Sequence, residues 1–408
     1  MSFQKKILVV THAGGSPYHG PNMRWYNLGL SLKSIGIETN IVSSSYFHKY
    51  YVQPALSDVH KKEIIDGIEY NWLKTNTYRV GSIFQIFNQL LFVYRCFTNI
   101  NNITSTIPDL VVASSPHPFV IFPAKYIAKK FDIKLVYEAR DLWPEVLIQL
   151  GRCSIYHPYA ILLRFTERYA LNNADFLTSV KQGDKDYYER HYKKKIKNFK
   201  FLPNGLSKDS IKPSAISIDF CRLRDIYDFI IVYTGAISAY YDIKKIVKLS
   251  EELQPHQNIG IILIGNGSYL NNLKDSIAKK NLKNIHILPQ RKKSEIFSIL
   301  KEADACYLSL AELEINQYGI SCNKIYDYMY SAKPIIAHYE PSKYDPIYIS
   351  GCGVVAKKGQ ENFLVENILE WSKSPDLCSK LGKKGKDFFD NNFDFSNIAL
   401  NIKKEFFS

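Results

Sequence analysis

Phe229-Ile-Ile-Val-Tyr-Thr-Gly-Ala236 and the later Ile261-Ile-Leu-Ile-Gly-Asn-Gly267 decide the fold class. Each is an apolar run ending at a glycine, without the polar alternation of a sheet wetted on one face. Such runs are expected of parallel strands covered by helices on both sides. Working outward from Phe229–Thr234 and Gly260–Gly265, similar runs precede them at Lys6–Val10, Glu38–Ser43, Leu110–Ser114, Lys134–Glu138, Phe176–Val180 and Phe199–Pro203. Others follow at Ile285–Leu288, Ala305–Leu308, Pro334–Ala337 and Gly353–Ala356. Helical-length segments separate them, so the chain reads as α/β with doubly wound sheets. The strands are too many for a single sheet. The series breaks over Gly205–Tyr227, where Asn204-Gly205, Pro213 and serines signal turns. Two similar domains are therefore expected, over 1–205 and 206–385, with a helical tail over 386–408 packing back towards the first. Ligands of such sheets sit outside the carboxyl ends of the strands, which for two facing domains implies an interdomain cleft.

At 408 residues the chain can bury two sizeable cores, and 46% hydrophobic against 23% charged residues excludes disorder. A net charge of +14 suits nucleic acid, an anionic membrane or phosphorylated substrates. No RNA-binding signature or DNA-reading motif accompanies it, and the basic run Lys193–Lys200 reads as a solvated loop. Seven scattered cysteines lack metal-ligand or redox spacing. The apolar run Ile7-Leu-Val-Val10 is too short for a signal peptide, and no stretch is long enough to span a bilayer. A reducing, cytoplasmic setting follows. Gly81–Ile100 is rich in apolar residues with Arg79 and Arg95 near its ends. It reads either as a crossover helix packed on a sheet or as an interfacial helix on a membrane.

Chemistry concentrates at strand ends. Thr11–Gly20 is a glycine-rich loop whose Gly15 and Gly20 allow backbone to approach an anionic ligand. It does not fit G-x-G-x-x-G, and Val42-Ser-Ser-Ser45 offers no acid for an adenosine ribose, which argues against a nicotinamide dehydrogenase. Tyr137-Glu-Ala-Arg-Asp-Leu-Trp-Pro-Glu145 places Glu138, Arg140, Asp141 and Trp143 at a strand-to-helix turn, where Asp141 is a candidate cap and Pro144 suits a first helical turn. His117 lies in Ser114-Ser-Pro-His-Pro118. In Tyr318-Gly-Ile-Ser-Cys-Asn-Lys-Ile-Tyr-Asp327, Gly319, Ile320 and Ser321 precede a helix starting near Cys322, whose free amides can hold a diphosphate. Lys324 in the first turn opposes the helix dipole unless an anion offsets it. Asp327, three residues on, shares its face and suits ribose hydroxyls.

In this order the motifs resemble family 4 of the retaining nucleotide-sugar glycosyltransferases, which has the GT-B fold of two facing Rossmann-like domains. They look most like the bacterial branch that builds O-antigen and capsular polysaccharides. The resemblance covers nearly the whole chain. It rests on Gly20-Pro-Asn-Met-Arg24, Asp66-Gly-Ile-Glu-Tyr-Asn-Trp-Leu-Lys74, Ser114–Pro118, Arg140-Asp-Leu-Trp-Pro144, Pro203-Asn-Gly205, Ile264-Gly-Asn-Gly267 and Asn323-Lys-Ile-Tyr-Asp-Tyr-Met329 with Lys333-Pro334.

The resemblance implies a hexosyl or N-acetylhexosaminyl transferase without a metal, taking a nucleotide-diphosphate sugar, UDP favoured over GDP. Its implied acceptor is a polyprenyl-pyrophosphate-linked saccharide at the inner face of the cytoplasmic membrane. Donor contacts are expected at Gly15, Gly20, Gly235, Gly265, Gln290, Arg291, Gly319, Ile320, Ser321, Lys324 and Asp327. Arg140, Asp141 and Lys324 are expected to be catalytic, with His117, Glu138 and Trp143 on the acceptor side. Asp327 stands where the family usually has Glu, and the first Glu of the usual pair falls at Gly319. The phosphate-gripping Arg and Lys fall near Ala236 and Tyr241 and are absent, which shifts the diphosphate onto Lys324, the Ser321 amides and Arg291 or Lys293. The histidine often found in the first domain aligns with Arg140. Two other readings use the same fold: a nucleotide-sugar 2-epimerase, and an inactive GT-B binding module.

Overall fold

Residues 5–208, 211–212 and 214–407 are described by the computed structural model, so Pro213 lies outside the described residues. The chain divides into two units, Met1–Asn204 with Phe395–Ser408, and Gly205–Asp394. In the first, strands β1 (Lys5–Val10), β2 (Ile37–Ser44), β3 (His60–Ile65), β4 (Ile68–Leu73), β5 (Leu110–Ser114), β6 (Lys134–Ala139), β7 (Phe176–Ser179) and β8 (Phe199–Phe201) form one sheet. Its order is β3-β4-β2-β1-β5-β6-β7-β8. All neighbours are parallel except β3 and β4.

The β3–β4 hairpin is absent from the expected strands. Its turn is Asp66-Gly67, with φ of 53° and 83°. Positive φ at both central residues is what a tight hairpin between right-twisted strands requires, and Asp-Gly is among the sequences that supply it cheaply. Register then aligns the strand ends: Val10 lies between Val42 and Ala113, and Ala113 opposes Tyr137. The loops carrying Gly15, His117 and Arg140 therefore leave the same edge of the sheet.

The second unit contains β9 (Phe229–Thr234), β10 (Ile259–Ile264), β11 (Ile285–Leu288), β12 (Ala305–Ser309), β13 (Ile335–His338) and β14 (Gly353–Ala356). They form an all-parallel sheet ordered β11-β10-β9-β12-β13-β14. The order reverses between β9 and β12, the point where such sheets open a crevice for ligands. Two parallel-sheet Rossmann-like units bear out the expected α/β class.

The end of the chain differs from the expected tail over 386–408. Pro375–Asn392 is one unbroken helix whose Phe389 belongs to the second unit's core. The first unit regains the chain only at Phe395. Helix Phe395–Phe407 puts Phe395, Ile398, Ala399 and Ile402 into the core around Trp25, Tyr70 and Trp72. Burying a large apolar side chain contributes about 1.5–3 kcal/mol, and a domain's net stability is about 5–15 kcal/mol. Truncation after Asp394 is therefore expected to abolish the first unit's cooperative transition in scanning calorimetry and to leave that of the second.

Candidate active site

In the second unit the site grows from the helix Asn323–Tyr330, which begins without a side-chain cap at Cys322. The Tyr328 hydroxyl accepts a hydrogen bond from the Thr234 amide at 3.0 Å, which docks the helix against the carboxyl end of β9. Docking carries Lys324 under Gly235. A Cβ on Gly235, whose φ is +109°, would stand 3.2 Å from both Cε and Nζ of that lysine. Nζ lies 3.2 Å from the centroid of the Tyr241 ring and 5.0 Å from that of Tyr233.

Lys324 is only 6% exposed, and burial lowers its amine to about 8 against the opposing pull of Cys322 and Asp327. An ammonium over an aromatic face gains about 2 kcal/mol once desolvated, less than the several kcal/mol its burial costs. The helix N-terminus adds further repulsion. An anion at this point reverses the sign of the local field. An ordinary surface Lys–Asp pair would leave both side chains in water, which is not what the structure shows.

Asp327 is also buried, and Nζ of Lys293 approaches its Oδ1 at 2.9 Å. Burial raises its carboxyl above the usual range despite Lys293 and Lys324. Gly265 has a steric reason: a Cβ there would come 1.9 Å from the Gly235 carbonyl oxygen. The amides of Gly235, Gly265 and Gly319 donate to Ile264, Leu288 and Asn316. These glycines let backbone approach backbone and do not offer their own N–H groups. Ile320 packs against the core, Ser321 Oγ lies 2.8 Å from the Tyr326 hydroxyl, and Gln290 is exposed. Arg291 is turned towards Asp219 at 2.5 Å and Glu295 at 3.6 Å, so carboxylates hold the guanidinium expected at phosphate.

In the first unit Glu138 corrects its expected acceptor role. Its Oε1 accepts from Arg24 Nε at 3.0 Å, and its Oε2 from Trp25 Nε1 at 2.8 Å and Ser114 Oγ at 2.6 Å. Burial alone would raise this carboxyl, but Arg24, Arg140 and Ser114 bring it below the usual range. At 1% exposure its acceptor positions are filled, and it holds loops together instead of meeting a ligand. Arg24 extends the network to the carbonyls of Pro203 and Leu202. The Gly15 amide donates to Asn22 and that of Gly20 to Ser16, closing the loop on itself and removing both from the expected donor contacts. Asp141 caps nothing: the short helix starts at Glu145 with Pro144 at its N-cap.

Beyond these strand ends lies a cavity of about 420 Å³ lined by His12, His48, Tyr78, Gln89, His117, Arg140, Asp141, Trp143 and Arg152, among others. Neither ring nitrogen of His117 nor Nε1 of Trp143 has a hydrogen-bond partner among the described residues. Burial, and His12 beside it, push the His117 imidazole well below its ordinary range. Burial likewise lowers His12 to about 4, although its Nε2 lies 2.5 Å from Asn88 Oδ1. Both imidazoles are neutral at pH 7. The cavity is lined by aromatic rings together with charged and polar side chains, as small-molecule sites commonly are.

Residues 224–388 match the family model for glycosyl transferases group 1. Uncharacterized glycosyltransferase MJ1178 of Methanocaldococcus jannaschii is 21% identical over 261 residues, 64% of this chain and 67% of that protein. Sucrose-phosphate synthase from Thermosynechococcus elongatus has a similar fold, with a TM-score of 0.70, 14% identity and 98% of each chain covered. Anabaena HepE, solved in complex with UDP, has a TM-score of 0.67 at 15% identity, again covering 98% of each chain. The group 1 match thus lies within residues 224–388, and the solved structures share the GT-B fold of the whole chain.

The sequence reading assigned no site role to Arg24, the aromatic bed of Lys324 or most of the cavity wall. Arg24 meets Glu138 across 114 positions, a separation that no local pattern reports. His48 and Tyr78 had a usable signal, since they follow the carboxyl ends of β2 and β4.

Two outcomes follow. Glu138→Ala strands Arg24 in a buried site, so a loss of about 3–5 kcal/mol is expected in urea unfolding. Lys324 titrates near 8 when folded against 10.5 for an ordinary lysine. Between those values the unfolded chain binds the extra proton, so the lysine's contribution to stability improves as pH rises. In nucleotide-free protein, the stability difference between wild type and Lys324→Met should shift towards wild type from pH 8 to 10.

Proposed function

We propose that the chain is a retaining family 4 transferase that moves a hexosyl or N-acetylhexosaminyl group from a UDP-sugar to a hydroxyl of a lipid-linked saccharide, in O-antigen or capsule synthesis. The observation that carries this reading is Lys324, a buried ammonium at an uncapped helix start inside the segment matching the group 1 family. Solved HepE complexes with UDP and with UDP-glucose favour uridine over guanosine.

In this reading the first-turn amides and Lys324 grip the diphosphate, with Ile320 and Ser321 bordering it. Asp327 exchanges Lys293 for the ribose hydroxyls. Arg140 and Asp141 orient the acceptor hydroxyl, while His117 and Trp143 contact its sugar. The bond from the anomeric carbon to the diphosphate oxygen breaks as the bond to the acceptor oxygen forms on the same face. The acceptor's proton passes to the departing diphosphate. Charge growing on that leaving group is stabilised by donors already in position. The acceptor and the bilayer carrying it put the enzyme at the inner face of the cytoplasmic membrane.

A thermal-shift panel of UDP-, GDP- and TDP-sugars tests the donor. UDP-sugars are expected to raise Tm with the logarithm of concentration, and no shift from any nucleotide sugar rejects the reading. Lys324→Ala should slow transfer by about 100-fold or more, the scale for removing one preorganised donor to a developing anion. Asp327→Ala should weaken nucleotide binding, and near-normal turnover in both variants would remove the site assignment. Affinity for UDP should also fall above pH 8 in wild type, because the Lys324 ammonium discharges there, and this dependence should vanish in Lys324→Met.

A further inference from the structure

Helix Ile83–Thr98 of the first unit is inside out for a surface exposed to water. Its inward face carries Asn88 and Gln89, buried beside Phe92 and Cys96. Asn88 meets His12, and Gln89 accepts from the Tyr159 hydroxyl at 2.9 Å. The outward face carries Ile83, Phe87, Leu90, Tyr94 and Phe97, spaced by alternating fours and threes so that they fall on one side. These five are 37% to 63% exposed, and Phe84 beside them is 60% exposed. A second helix, Pro158–Asn173, is joined to the first through Tyr159 and exposes Ile161, Leu162 and Phe165. Large apolar side chains grouped in this way mark an interaction surface.

Charge selects the partner. Between Glu69 and Asp109 there is no acidic residue, only Lys74, Arg79 and Arg95. From Leu110 to Phe131 there is again none, against Lys125, Lys129 and Lys130, and between Glu145 and Glu167 only Arg152 and Arg164 are charged. Lys74, Arg79, Lys129, Lys130 and Arg152 are exposed. An apolar stripe whose own helix and flanking segments over 70–108 carry cations and no carboxylate fits a surface that is oily inside and negative at its edge.

We propose that this face of the first unit rests on an anionic lipid bilayer, with the aromatic stripe at the boundary of headgroups and acyl chains and the basic residues at the headgroups. The helix lies on the bilayer and does not cross it: it has 16 residues, and among the described residues no helix is long and apolar enough to span. Gln85 and Gln89 of the same helix line the cavity, so the wall of the sugar pocket is also the membrane contact. The inference rests on the proposed function only for what the bilayer carries, a lipid-linked saccharide.

Flotation of the full chain with vesicles tests the surface. Binding to phosphatidylcholine–phosphatidylglycerol vesicles is expected, weakening with added salt and much lower on phosphatidylcholine alone. The triple variant Phe84→Ser, Phe87→Ser, Leu90→Ser should lose binding by a factor on the order of 100 or more, given the apolar area withdrawn. It should keep its circular-dichroism melt, because all three side chains face solvent. Failure of wild type to float, equal flotation by the variant, or a dimer in light scattering that the variant dissolves would overturn the proposal. The UDP-sugar thermal shift of the variant should be unchanged. Loss of that shift in wild type, with flotation intact, would reject the transferase reading and leave the membrane surface standing.

Discussion

Everything distinctive about the second unit is organised around one electrostatic conflict, the ammonium of Lys324 held out of water at the positive end of a helix. Burial and the helix dipole both oppose the charge, and the ring of Tyr241 offsets only part of that opposition. The surrounding architecture keeps the conflict in place. Gly235 leaves room for the amine, Gly265 lets the next loop press against Gly235, and Tyr328 fastens the helix to β9. These contacts gather where the strand order reverses, between β9 and β12. The result is an unfavourable charge held at a fixed point, where an anion would relieve both burial and dipole.

The first unit handles charge in the opposite way. One of its buried carboxylates, Glu138, is fully matched by Arg24, Trp25 and Ser114, which ties Arg24 and Trp25 to the ends of β5 and β6. The cavity beyond it mixes the charged side chains Arg140, Asp141 and Arg152 with neutral groups. Among the neutral groups, burial keeps the His12 and His117 imidazoles uncharged, and the buried indole N–H of Trp143 has no partner among the described residues. The helix Ile83–Thr98 follows from the same economy, since its polar residues serve the cavity and its apolar ones are left for an outer surface.

Much of the architecture was legible as periodicity. Apolar runs such as Phe229–Thr234 admit only a strand covered on both faces, and glycine at their carboxyl ends marked the loops. The His60–Leu73 hairpin escaped because β3 is polar, His-Lys-Lys-Glu before Ile64, so the hydrophobic pattern fell silent and only Asp66-Gly67 spoke for it. Lys324 and Asp327 were legible as a helix-start motif. Their environments were not: the spacing joins them on one face, whereas folding buries one on an aromatic ring and pairs the other with Lys293. Glu138 and Arg291 show the same limit, each carrying the right charge but already engaged by partners far along the chain.

By itself, then, the order of residues determined the strand–helix alternation and the glycine-marked loops at the strand ends, because each follows from neighbours a few residues apart. Tertiary structure alone decided which charges are free. Whether a carboxylate or guanidinium meets a ligand depends on what packs against it from distant segments, as Arg24 packs on Glu138 and Asp219 on Arg291. It also decided that the last helix completes the first core, since only there do Phe395, Ile398 and Ile402 find Trp25 and Trp72.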